Sequence, residues 1–125
     1  LISPRTGKLR FAPLAPDPVL AVALTTAAEA AYATGDDAAA ARDLELALAA
    51  DPTSARARGD QAVLAWEADR HDDAVLGLVL ALACPDADGI IARNLHDMLA
   101  ALGRWEQAAQ VANACGLAPD GRRVG

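Results

Sequence analysis

The chain has 125 residues, enough for one domain of ordinary size and too few for two. It is 54% hydrophobic but only 3% aromatic, and about a quarter of its residues are alanine, a composition that favours helices packed through small side chains. A formal net charge of −6 argues against a general binder of nucleic acid or of anionic membranes.

Residues 1–18 read as an extended arm. Pro4, Pro13, Pro16 and Pro18 rule out a continuous helix, while Leu9, Phe11 and Leu14 supply apolar anchors between polar spacers. The arm carries Arg5, Lys8 and Arg10 against Asp17, and residues 21–88 hold most of the acid. On charge alone this reads first as a solvated surface that keeps the chain in solution, and second as an arm and a middle suited to attract one another between subunits. Leu1 stands where an initiator methionine would, so the chain reads as a processed product or a fragment. Its compartment is left open between the cytoplasm and, for a processed form, the outside of the cell.

Helices are expected from Asp17-Pro18 onward, because Asp suits an N-cap and Pro the first helical position. The first runs to about Thr34 and ends at Gly35. The second covers about 37–50 and stops at Asp51-Pro52. Thr53 or Ser54 caps a third that reaches Ala68, and a fourth spans about 72–83 before Pro85. Asp86 or Asp88 caps a fifth that reaches Leu102. The sixth runs from about Trp105 to Cys115 and is closed by Gly116.

The turns between paired helices recur at a fixed step of 34 residues. Gly35-Asp36-Asp37, Asp69-Arg70-His71 and Gly103-Arg104-Trp105 keep it, and so do Ala40, Ala74 and Ala108. A period of this length belongs to solenoids, in which each unit buries its apolar face only against a neighbour. Composition alone would also suit a four-helix bundle; the period favours stacked hairpins. Small residues (Ala28 and Ala62, then Ala40, Ala74 and Ala108) alternate with Leu44, Leu78, Leu48 and Leu82, as closely packed helix pairs require.

With those residues in place, the chain resembles a set of three tetratricopeptide repeats, matched over about residues 19–120. The first unit carries Gly35-Asp36, Ala40, Leu44, Ala47-Leu48 and Asp51-Pro52. The second carries Arg70-His71, Ala74, Leu78, Ala81-Leu82 and Pro85, with Asp69 in place of the turn glycine. The third carries Asn94-Leu95, Gly103-Arg104-Trp105, Ala108, Cys115 and Pro119. The large aromatic expected early in each first helix is replaced by Leu24, Arg58 and Ala92, and His96 stands where a small residue is usual.

The resemblance implies an all-α, right-handed α-solenoid of three helix-turn-helix hairpins. Its units would be about 19–54, 55–88 and 89–120, with the arm before them and a tail at 121–125. It also implies a concave face lined by the first helix of each unit. That face would present Val22, Thr25, Glu29 and Tyr32, then Arg56, Gly59, Val63, Trp66 and Glu67, then Ile90, Arg93, Asn94 and Asp97. Tyr32 and Trp66 are one period apart, so they are expected side by side, either as interface anchors or packed against neighbouring helices or under the arm. The family's basic clamp for a C-terminal carboxylate is not expected, because its places hold Thr25, Glu29, Asp60, Ile90 and Asn94, of which only Asn94 fits.

Chemistry is harder to place. His71 and His96 lack i, i+4 ligand partners for a metal, Ser3 and Ser54 sit in no nucleophile pattern, and no glycine loop cradles a phosphate. Cys84 and Cys115 read as buried free thiols more readily than as a bridge between hairpins. No apolar run is long enough to span a membrane. No catalytic residue, cofactor or metal is therefore expected. The expected role is a protein–protein interaction scaffold that binds a peptide or helix along the concave face. The rival is a self-assembling subunit, stacked head to tail with Leu9, Phe11 and Leu14 on a neighbour. A third expectation is an accessory repeat segment of a longer enzyme.

Overall fold

The computed structural model of the chain describes residues 15–117. The arm anchors Leu9, Phe11 and Leu14, together with Pro119 and the tail at 121–125, lie outside the described residues. Within them the chain is all-α, with six helices and no strand: α1 (Pro18–Ala33), α2 (Asp37–Ala50), α3 (Ala55–Glu67), α4 (His71–Leu82), α5 (Gly89–Ala101) and α6 (Trp105–Cys115).

Local chemistry fixes the ends. The Asp17 carboxylate accepts from the Leu20 amide with Pro18 at the first helical position, and Asp36 accepts from the Ala39 amide. Ser54, not Thr53, caps α3 by accepting from the Ala57 amide, and Asp88, not Asp86, caps α5 by accepting from Ile90 and Ile91. The three turns inside the hairpins share one hydrogen-bond pattern. The amides of Gly35 and Asp36 donate to the carbonyls of Tyr32 and Ala31, those of Asp69 and Arg70 to Trp66 and Ala65, and those of Gly103 and Arg104 to Ala100 and Leu99. This is the Schellman closure, which places its pivot residue in the left-handed region. Gly35 (φ 83°) and Gly103 (φ 74°) reach it freely; Asp69 reaches it at φ 60° despite its Cβ.

Packing is sequential. α1 lies on α2, α3 on α4 and α5 on α6, and the pairs join through α2–α3 and α4–α5. α1 also touches α3, and α3 touches α5; α1 reaches neither α5 nor α6, and α2 does not reach α4. Among the described helices each hairpin therefore meets only the next. The seams are lined as the small-residue pattern predicts. Ala28, Ala40, Leu44 and Ala47 pack with Ala57 of α3, and Ala74, Leu78 and Ala81 pack with Ile91, Leu95 and Met98 of α5. Leu44 and Leu78 are the largest wholly buried apolar side chains.

Polar ties set the hairpins in register. The Asp17 amide donates to the Ala50 carbonyl, closing the open end of the first hairpin. Asp86, in the turn before α5, accepts from the Ala55 amide at 3.0 Å, so it satisfies an orphan donor at the start of α3. Arg104 donates to Asp72 at 2.9 Å, linking the third turn to α4.

Candidate functional site

The first helices of the hairpins (α1, α3 and α5) line three adjoining depressions. Ala28, Glu29, Tyr32, Asp60, Val63 and Leu64 surround the first, of about 80 Å³, whose floor is Ala40 and Leu44. The second, of about 250 Å³, is lined by Glu29, Arg56, Gly59, Asp60, Ile90, Ile91 and Asn94, with Asp86 and Asp88 from the preceding turn. Val63, Trp66, Asn94, Asp97, Met98 and Ala101 line the third, of about 240 Å³. Glu29 and Asp60 border both the first and the second, Asn94 the second and third, and Val63 the first and third, so the three form one surface.

Seven of the eight residues expected at a partner site (Glu29, Tyr32, Arg56, Val63, Trp66, Asn94 and Asp97) line this surface. The eighth, Arg93, borders none of the three and faces Asp97 at 4.0 Å from an exposed position. Two other residues expected on the face are buried. Thr25 is 1% exposed and donates its hydroxyl to the Ala21 carbonyl, and Gly59 lies beneath Ile91. They occupy the same repeat position, on the side where α1 meets α3 and α3 meets α5, so each is covered at a seam.

Tyr32 and Trp66 take different partners. The Tyr32 hydroxyl donates to the Glu67 carboxylate, and that hydrogen bond holds the phenol above its ordinary pKa. The Trp66 ring packs on His71, with centroids 4.2 Å apart and planes inclined by 37°. Trp66 is half-buried against the core, leaving part of its ring on the depression shared with Val63 and Met98. His96 is 8% exposed, with Nδ1 3.0 Å from Asp97 Oδ1. Cys84 and Cys115 are free thiols. Among the described residues no group of three His, Cys, Asp or Glu side chains converges to hold a metal, and no helix is long and apolar enough to cross a membrane.

The chemically unusual group is Asp60. Arg56 donates to both oxygens of Glu29, from Nε at 3.0 Å and from Nη2, and this holds the Glu29 carboxyl below its usual range. Asp60 stands beside the same carboxylate. Its Oδ2 is buried and meets no donor among the described residues. A buried acceptor left unpaired costs about 1–3 kcal/mol. A protonated Asp60 can donate to the neighbouring Glu29 carboxylate and so avoid that cost. Burial, reinforced by the Glu29 carboxylate, pushes its pKa up to about 7 against the opposing pull of Arg56.

Sequence reasoning did not single out Asp60 as a binding residue, because its partner is 31 positions away and on another helix. One clue was available. Glu29 lies three residues past the repeat equivalent of Asp60, Thr26, hence on the same helix face. No family model matches the chain, and no curated protein matches it either.

Proposed function

We propose that the chain is a right-handed solenoid of three tetratricopeptide-type hairpins that acts as a protein–protein interaction scaffold. In this reading a peptide or helix of the partner lies along the face made by α1, α3 and α5, with Tyr32 and Trp66 as its aromatic anchors. The observation that carries it is the continuity of that face: three depressions share Glu29, Asp60, Val63 and Asn94 as common walls and run across all three hairpins. Clefts of this shape with an aromatic edge are where interface energy concentrates.

Peptides selected by display against the full chain test the reading. Trp66→Ala and Tyr32→Ala should each weaken the selected binders by roughly tenfold or more. If Trp66→Ala leaves every selected binder unchanged, the face is not the binding site.

A second reading, head-to-tail self-assembly, is favoured by the depression at the α5–α6 end of the described residues. In the first hairpin Ala28, Ala40 and Leu44 form a floor roofed by Asp60, Val63 and Leu64 of α3. Their equivalents His96, Ala108 and Ala112 form the same floor at the end of α5–α6, beside the exposed Trp105, with no following helix among the described residues. The outer face of α1, with exposed Ala23, Ala27 and Ala30, is the face α3 would repeat. Stacked in that register, Asp36 of one copy would approach Glu106 of the next, as Arg104 approaches Asp72. Assembly should therefore strengthen with salt. Sedimentation that finds only monomers at high protein and salt concentration rejects this reading.

A further inference from the structure

The groove proposed above as a partner site is acidic at its centre, and the inference here rests on that proposal. α1 contributes Glu29, α3 contributes Asp60, and the turn before α5 contributes the exposed Asp86 and Asp88, all bordering one depression. Asp86 and Asp88 each spend Oδ1 on backbone amides, and no donor among the described residues meets their Oδ2 atoms. The basic side chain in the same depression, Arg56, is already held by Glu29. Across Asn94 the surface turns mainly apolar, with Val63, Trp66, Met98 and Ala101 beside the carboxylate of Asp97. An acidic hollow beside an apolar one complements a segment with a cationic side chain next to an apolar one.

We propose that the groove selects a basic segment of a partner protein, whose lysine or arginine enters the acidic depression between Glu29, Asp60, Asp86 and Asp88, while a neighbouring apolar side chain lies against Trp66 and Val63. On entry the cation displaces a proton from Asp60, and the exchange balances. The Asp60 O–H bond breaks, its proton passes to the buffer, and an N–H of the incoming cation donates to the freed carboxylate. Without that cation the deprotonated pair would place two negative charges against one Arg56. The groups facing Asp60 are Glu29 and Tyr32 from α1, Arg56 on its own helix, Asp86 and Asp88 from the α4–α5 turn, and the uncharged Asn94 from α5. From α2 it meets only Ala40 and Leu44. Binding should thus release a proton and strengthen as pH rises through neutrality. A site that must ionise near pH 7 gains about thirtyfold in affinity between pH 5.5 and pH 8.5.

The test uses the ¹⁵N-labelled full chain and three capped ten-residue probes that differ only in charge: lysine–leucine–glycine, glutamate–leucine–glycine and serine–leucine–glycine repeats. The indole N–H of Trp66 reports the groove, and that of Trp105, 67% exposed on α6, reports binding elsewhere. The expected result is that the lysine probe shifts Trp66 and not Trp105, with the stated gain in affinity at higher pH. Asp60→Asn should abolish that gain while the exposed Glu106→Gln, which removes the same charge, keeps it. Calorimetry of the wild type in buffers of different ionisation enthalpy should show proton release near neutrality. If the glutamate or serine probe shifts Trp66 as strongly as the lysine probe, or if Asp60→Asn and Glu106→Gln weaken binding alike, the basic-segment proposal fails while the groove stands. If none of the three probes shifts Trp66, the groove itself fails and the proposal with it.

Discussion

Gly59 of α3 lies directly beneath Ile91 of α5: a Cβ on Gly59 would stand 2.6 Å from Ile91 Cδ1. That approach lets the first helices of the second and third hairpins touch. Gly59→Val must push the tip of the Ile91 side chain aside and should cost about 1–3 kcal/mol by overpacking. Ile91→Ala alone should cost about 2–5 kcal/mol through its cavity. Combined, the two changes should cost less than the sum of their separate losses, since the valine fills space the isoleucine vacates. Urea denaturation of the four chains measures the coupling, and strict additivity would mean the two residues do not share that space.

Asp69 holds a backbone conformation that its hairpin equivalents assign to glycine. Its side chain is almost fully exposed, and its pairing with His71 Nε2 at 3.7 Å is weak. Asp69→Gly should therefore raise stability by about 0.5–1 kcal/mol, because removing the Cβ relieves the left-handed penalty. The expected rise in Tm is about 2–6 °C. Gly35→Asp should do the reverse at the first turn. A lower Tm for Asp69→Gly would show that the carboxylate, not the backbone, governs this turn.

Gly77 sits within α4, where a Cβ would meet the Ala62 Cβ at 3.4 Å, an ordinary contact. Gly77→Ala adds that contact and reduces the freedom of the unfolded chain, so it should stabilise by about 0.4–1 kcal/mol. Thermal unfolding checks it. A loss of stability would mean that the α3–α4 seam tolerates no closer packing.

Much of the architecture is legible because backbone punctuation is local. Pro18, Gly35, Asp51-Pro52, Gly103 and Gly116 mark helix boundaries in the chain itself, and the 34-residue step marks which alanines face inward. Ala28, Ala40, Ala62, Ala74 and Ala108 are all buried. The face of the site is less legible, because it depends on how far one hairpin covers the next. Position 25 and its equivalent 59 read as open face but lie at the α1–α3 and α3–α5 seams. Their small size, threonine and glycine, was the available sign. Arg93 repeats that position in the last hairpin, where no later helix among the described residues covers it, and there it is exposed. The Glu29–Asp60 contact is less legible still. It joins two helices without local spacing between the partners, and only tertiary placement sets these two acids side by side.

That pair makes stability depend on pH in a direction opposite to an ordinary salt-bridged aspartate. Asp60 titrates at about 7 in the folded chain and near 4 when unfolded. Between those values the native state holds a proton that the unfolded state has released, so raising the pH draws the equilibrium toward unfolding. The loss accumulates from about pH 4 to about pH 7 and then stops. Glu29, whose pKa is lowered by Arg56, acts the other way and only below its ordinary range, so the two do not overlap near neutrality. Asp60→Asn is neutral throughout and can donate its amide to Glu29 in place of the carboxyl proton. The urea midpoint of the wild type should match that of Asp60→Asn near pH 4, fall progressively below it between pH 4 and pH 7, and stay parallel to it at higher pH. Parallel midpoints across the whole range would mean that Asp60 is ionised at pH 5, and its buried Oδ2 would then need another donor.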